Sequence, residues 1–182
     1  GQSCSQYCCE RTLDFLNGLL DVIPADGIAA NIYMEGNTGN DRIEVLLRPI
    51  NTVDNGILLT NVRNMQGGVG DSVSINICNI RQIELPGSII TINQPVPPPV
   101  PPTFNITVSN TPPPMGCLNL VAIRDLLLLN SANDLDIDFT NFNINSNINV
   151  ISIVNGMATF LENNGNDTIF SAYCYINAII PQ

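Results

Sequence analysis

The side chains with the most chemistry to offer are six cysteines. Cys4, Cys8 and Cys9 crowd into the opening GQSCSQYCCE, and Cys78, Cys117 and Cys174 are spread along the rest of the chain. Thiols at such spacing can ligate a metal, act as nucleophiles, staple one chain or link several. Structural zinc takes four ligands, usually from paired Cys-x2-4-Cys units or from Cys with His. Here the run is Cys-x3-Cys-Cys in a chain without His, so zinc is poorly served. Neither His nor Lys occurs, which removes the usual general base near neutral pH and the usual amine nucleophile. Ser-His-Asp and Cys-His catalysis are excluded, as are Lys-Asn isopeptide bonds. Covalent reinforcement has to come from cysteine.

Oxygen ligands are the other possibility. Asp134, Asp136 and Asp138 alternate along one strand face and are weak calcium candidates. The Gly and terminal Glu of an EF-hand loop are missing, and a solvated strand face accounts for these carboxylates equally well. The tracts EGNTGND and ENNGND also gather oxygens, but hairpin turns explain their Gly, Asn and Asp. Glycoside hydrolysis needs two carboxylates that meet in space, and nothing in the sequence singles out a pair. No cofactor or resident metal is indicated, and the expectation is a protein that is not an enzyme.

Composition narrows the partners. Charged residues make up 12% of the 182, the formal net charge is -10, and the six cations are single arginines. Phosphate binding needs clustered cations, so no nucleic-acid partner is expected. An acidic, Asn-rich surface also disfavours anionic membrane. The greasiest run, LNLVAIRDLLLL, is broken by Arg124 and Asp125 and falls short of the roughly 18 to 20 apolar residues of a membrane span. If the start is native, no secretory signal precedes the cysteines, and they would oxidise only once the chain leaves the living cytoplasm by another route, such as lysis of the producing cell.

The elements that must position these thiols are mostly strands. Alternation at Ile28, Ala30, Ile32 and Met34, and at Phe142, Ile144, Ser146, Ile148 and Val150, predicts half-buried strands. Further candidates lie at 42–47, 57–62, 73–80, 88–93, 104–109, 157–161 and 168–179, separated by turn signals such as TVDNG and NMQGGVGD. Many short strands so punctuated predict a mainly β chain of jelly-roll or β-sandwich type. Two segments differ. Cys9, Leu13, Leu16 and Leu20 share one helical face, and CLNLVAIRDLLLL from Cys117 is similar in style.

An internal repeat is also visible. GDSVSINICNIRQIELP at 70–86 matches NDTIFSAYCYINAIIP at 166–181, with Cys78 set against Cys174, Ile80 against Ile176 and Ile83 against Ile179. Between the halves, QPVPPPVPPTF precludes helix and interior strand and prefers polyproline II at about 3.1 Å per residue. The expected organisation is two tandem β domains, each preceded by a short helix. The first is 1–93, the linker 94–103 and the second 104–182; a loop crossing a single sandwich is the alternative. The repeat suggests a bridge from Cys8 or Cys9 to Cys78 and another from Cys117 to Cys174, leaving two N-terminal thiols for neighbouring subunits. Sequence alone fixes no connectivity, and Cys78 and Cys174 also suit plain core positions.

The Cys8-Cys9 pair in a short N-terminal arm, together with the I-C-N-I strand at 77–80, resembles surface proteins of bacterial endospores: coat and exosporium proteins and the subunits of endospore appendage fibres. The resemblance implies a jelly roll that extends an arm to its neighbours. Cys8 and Cys9 would be the arm's donors, joined by Cys4 as intersubunit candidates, and Cys78 or Cys174 the acceptors. The chain departs from that pattern in appearing doubled, in its proline run and in its helical periodicity after Cys9. It implies a self-assembling structural protein of a spore surface layer or fibre, exposed after mother-cell lysis, with copies of itself and other spore-surface proteins as partners. The competing expectation is an adhesion or ligand-binding β-sandwich that presents loops to carbohydrate or protein.

Overall fold

The computed structural model describes residues 2–36, 41–94, 101–139, 145–162 and 165–182. It opens with helix α1 (Cys4–Leu20). Ser3 caps it, its side chain accepting from the Gln6 amide at 3.1 Å, the first half of a Ser-x-x-Gln capping box. The helix ends at Asp21, and Pro24 shortly afterwards prevents it from resuming. Its stripe is wider than the one predicted from Cys9. Phe15, Leu16 and Leu19 are completely buried, Leu20 nearly so and Leu13 partly.

The first half continues with β1 (Ile28–Met34), β2 (Ile43–Leu47), β3 (Thr52–Asp54), β4 (Ile57–Arg63) and β5 (Val69–Asn76). A 3-10 turn (Ile77–Asn79) then leads into β6 (Ile80–Leu85) and β7 (Ile90–Ile92). After β8 (Phe104–Ile106) comes helix α2 (Leu118–Leu129), followed by β9 (Leu135–Phe139), β10 (Asn145–Val154), β11 (Met157–Leu161) and β12 (Thr168–Ala172). A second 3-10 turn (Tyr173–Tyr175) precedes β13 (Ile176–Pro181). The chain is mainly β, as its punctuated alternation predicts. Part of the predicted alternation, Phe142 and Ile144, lies outside the described residues.

Among the described residues, eleven strands form one antiparallel sheet in the order β13-β9-β10-β11-β12-β6-β1-β2-β4-β3, with β5 also on β4. Within that order one pairing scheme occurs twice. β1 pairs with β2 and β6, and β4 with β2 and β5. In the second half β9 pairs with β10 and β13, and β11 with β10 and β12. The correspondence reaches individual hydrogen bonds. Asn55-Gly56 turns β3 into β4, and the Ile77 amide donates to the Gly56 carbonyl at 2.9 Å. Asn155-Gly156 turns β10 into β11, and the Tyr173 amide donates to the Gly156 carbonyl at 2.9 Å. Cys78 and Cys174 are the middle residues of the two 3-10 turns, matching places in this pairing scheme.

The flanks of the proline run lie side by side. β7 and β8 form a parallel pair, Ile90 opposite Phe104 and Ile92 opposite Ile106, and the Thr103 amide donates to the Ile89 carbonyl at 2.7 Å. β7 also packs on β10 and β11. The run at 94–103 therefore leaves and re-enters at neighbouring strands; its centre, 95–100, lies outside the described residues.

Two apolar clusters hold the sheet. One gathers Phe15, Leu16 and Leu19 of α1 with the inner residues of the first-half strands, and also takes in Val154, Met157 and Phe170 from the second half. The other gathers Leu120 and Leu127 of α2 with β9 to β13, and takes in Tyr7 and Cys8 from α1. Helix α1 thus belongs to both cores, which places it at the junction of the two halves.

Candidate functional site: a clamped junction

The halves meet where β12 pairs with β6, Thr168 opposite Leu85, Ile169 opposite Glu84 and Phe170 opposite Ile83. Side chains opposite one another across strands share a face, so Phe170 extends the first half's core. There it meets α1, the Phe15 and Phe170 rings stacking at 3.9 Å between centroids with 14° between planes. All five residues of β12 are buried.

Polar groups of α1 fix it to the second half. Arg11, 1% exposed, donates through Nε to the Asn155 carbonyl at 3.0 Å, through Nη2 to the Ser109 carbonyl at 2.6 Å and through Nη1 to Asp14 Oδ2 at 2.9 Å. Tyr7 Oη donates to the Thr111 carbonyl at 2.6 Å. Gly156 permits this approach. Its φ is +80°, and a Cβ there would lie 2.7 Å from Tyr7 Oη and 2.9 Å from Arg11 Cγ, whereas one at the matching Gly56 would meet nothing within 4 Å. The same turn is roofed by a helix in one half and bare in the other.

Three disulfides complete the clamp: Cys4–Cys117, Cys8–Cys174 and Cys9–Cys78, with Cα separations of 5.7, 6.2 and 4.6 Å, inside the range that bridges require. Helix geometry explains the pattern. Cys4 and Cys8 are one turn apart on one side of α1, and Cys9 is rotated about 100° from Cys8. Since α1 touches both 3-10 turns, adjacent cysteines reach Cys78 in one half and Cys174 in the other.

This differs from the sequence reading in two respects. Cys4, Cys8 and Cys9, offered there as candidates for bonds to neighbouring subunits, each have a partner within the chain, and no cysteine is free. The suggested Cys117 to Cys174 bridge gives way to bonds from both residues to α1, because α1 and not α2 carries the nearest sulfurs. The Cys9 to Cys78 bridge is among those the repeat suggested. Cys78, Cys117 and Cys174 thus serve as internal partners. Arg11, Tyr7 and Gly156 were not singled out from sequence; the recurrence of Asn-Gly before each half's cysteine strand was the available signal for Gly156.

The junction also carries acid groups. Glu84 of β6 accepts from Asn31 Nδ2 at 2.7 Å, and the Glu162 carboxyl hydrogen-bonds to Glu84 with Asp167 nearby. Burial, the hydrogen bond to Glu84 and the two neighbouring negative charges push Glu162 up to about 8. The stability consequence has a definite sign. The folded chain keeps a proton that the unfolded chain releases above its ordinary value of 4.5, so this contribution is full below 4.5 and is lost as pH rises through about 8. Glu162→Gln is expected to flatten the fall in thermal midpoint over that window, measured by calorimetry at several pH values; an unchanged slope would remove Glu162 as its source.

Asp134, Asp136 and Asp138 lie at and along β9, between the inward Leu135, Ile137 and Phe139. Asp134 accepts from Asn149 Nδ2 at 2.7 Å and Asp136 from the Asn147 amide at 3.0 Å. Among the described residues no three His, Cys, Asp or Glu side chains gather as a metal site; Asp134 and Asp136 serve as acceptors for groups of β10. No described helix is long and apolar enough to cross a membrane.

Compared with known protein families, curated proteins and solved structures, the chain has no match.

Proposed function

We propose that this chain is a non-enzymatic, self-assembling structural protein of a bacterial spore surface layer or fibre, built from two diverged copies of one jelly-roll-type β unit, each preceded by a helix. The observation that carries this reading is the clamp. Three disulfides, a buried arginine and a stacked aromatic pair lock one helix across both halves, reinforcement suited to a particle that must persist in an oxidising exterior. Cross-links between subunits would arise by exchange of α1, since the helix of one copy seated in another re-forms the same three bonds.

Purified spores of the producing organism provide the test. The chain is expected in the washed surface fraction, and extraction without reductant distinguishes internal bonds, which give monomers, from exchanged helices, which give a ladder that collapses with reductant. Recovery of the chain from the soluble cell lysate alone would overturn the proposal.

A further inference from the structure

The internal repeat has an asymmetry at its edges. The β12–β6 contact joins one copy's β5-type strand to the other copy's β6-type strand, so the joint is head-to-tail and does not close on itself. It leaves one strand of each type over: among the described residues β5 pairs with β4 alone and β13 with β9 alone. In the joint these strand types are covered. β12 is buried throughout and β6 mostly, whereas Ser72 and Ser74 of β5 and Ala178 and Ile180 of β13 are exposed.

We infer that the free edges form the same joint between molecules, β5 of one copy adding to β13 of the next. This rests on the reading of the chain as a self-assembling building block. Transferring the internal register by the repeat alignment puts Ser72 opposite Pro181, Val73 opposite Ile180 and Ser74 opposite Ile179. Ile180, 41% exposed, is thereby covered by Val73. A heterologous contact that does not close generates an open filament.

Three further observations fit a second copy as the occupant. Edge strands that must stay single are commonly guarded by charge, Lys above all, yet β13 (INAIIP) carries no charged residue and the chain has no Lys. The Gly56 turn beside β5 is bare where its counterpart Gly156 is roofed by α1. Helix α2, the counterpart of α1, leaves Leu118 and Leu129 76% and 78% exposed on the element that would reach across. The contact between molecules is weaker than the internal one. Ser74 stands where Phe170 does and Asp54 where Val154 does, and Gly116, in the position before Cys117, replaces the sulfur that Cys8 supplies. The filament is therefore held by strand pairing, while each subunit is held by disulfides.

Sedimentation velocity on the full oxidised chain over a wide concentration range tests this. The wild type is expected to form an open-ended series, and Ile180→Asp and the double variant Ser72→Asp/Ser74→Asp are each expected to remain monomeric. Mixed, the two variants should give dimers that do not grow, since each retains the edge the other has lost; dimer formation also shows that both are folded. Ala178→Glu blocks β13 at a second exposed position. A monomeric wild type, or variants that grow as it does, would overturn the joint. Multimers insensitive to both edges remove this joint and leave the building-block reading intact, and that reading falls separately if the chain is missing from the spore surface fraction.

Discussion

Cys8→Ser/Cys174→Ser is expected to lower the unfolding free energy by about 4 kcal/mol, and the thermal midpoint by on the order of 10 °C for a chain of this size. Cys8 and Cys174 are 166 residues apart. With Cys4–Cys117 in place, the additional loop closed is roughly 60 residues, which sets the chain-entropy estimate. Cys8 is fully buried, so a serine hydroxyl there adds a desolvation cost. The loss should be greatest at the junction: amides of β12 and β6 are expected to exchange with solvent faster than those of β4. Guanidinium denaturation and hydrogen exchange measure both effects, and a change below about 1 kcal/mol would show that the junction is held by packing rather than by this bond.

Arg11→Ala is expected to cost about 3 kcal/mol with all three disulfides intact, from losing the hydrogen bonds of a buried guanidinium to two carbonyls and to the partly exposed Asp14. The guanidinium joins α1 to two carbonyls of the second half, at Ser109 and Asn155, and to Asp14 of its own helix. Without it those carbonyls lose their donor beneath the helix, and Asp14, whose carboxyl burial already raises from its ordinary value, loses the charge that opposes the rise. Arg11→Lys restores charge but not the planar fork that serves several acceptors at once, so it should recover only part of the loss. Denaturation curves for both variants decide the matter. Equal stability of Arg11→Ala and wild type would mean that the disulfides alone position the helix.

Much of the fold was legible because period and punctuation act locally. The alternation from Ile28 to Met34 and the run at 157–161 became β1 and β11, and the helical spacing from Cys9 became α1. The repeat alignment through Cys78 and Cys174 was visible because both halves preserve the same apolar phase. The breaks at those cysteines were not visible: ICN and YCY look like uninterrupted strand, and the 3-10 turns exist because the chain must pass from one strand partner to another. β3 was hidden within TVDNG, whose turn residues mask a three-residue pairing with β4. The Cys4–Cys117 and Cys8–Cys174 bonds were unreadable for a different reason. Which sulfurs meet depends on α1 lying across both cores, and no local pattern encodes the position of a helix relative to a strand more than a hundred residues away.

The clamp also imposes an order on biosynthesis. Cys8 leaves the ribosome long before Cys174, its partner 166 residues downstream, so α1 is among the last of these elements to be secured. During translation its apolar stripe and three thiols have no complete seat, a condition that exposes nascent chains to aggregation and to wrong sulfur pairings. A reducing interior during synthesis, followed by oxidation once β12 and its turn are in place, would protect the chain through that interval.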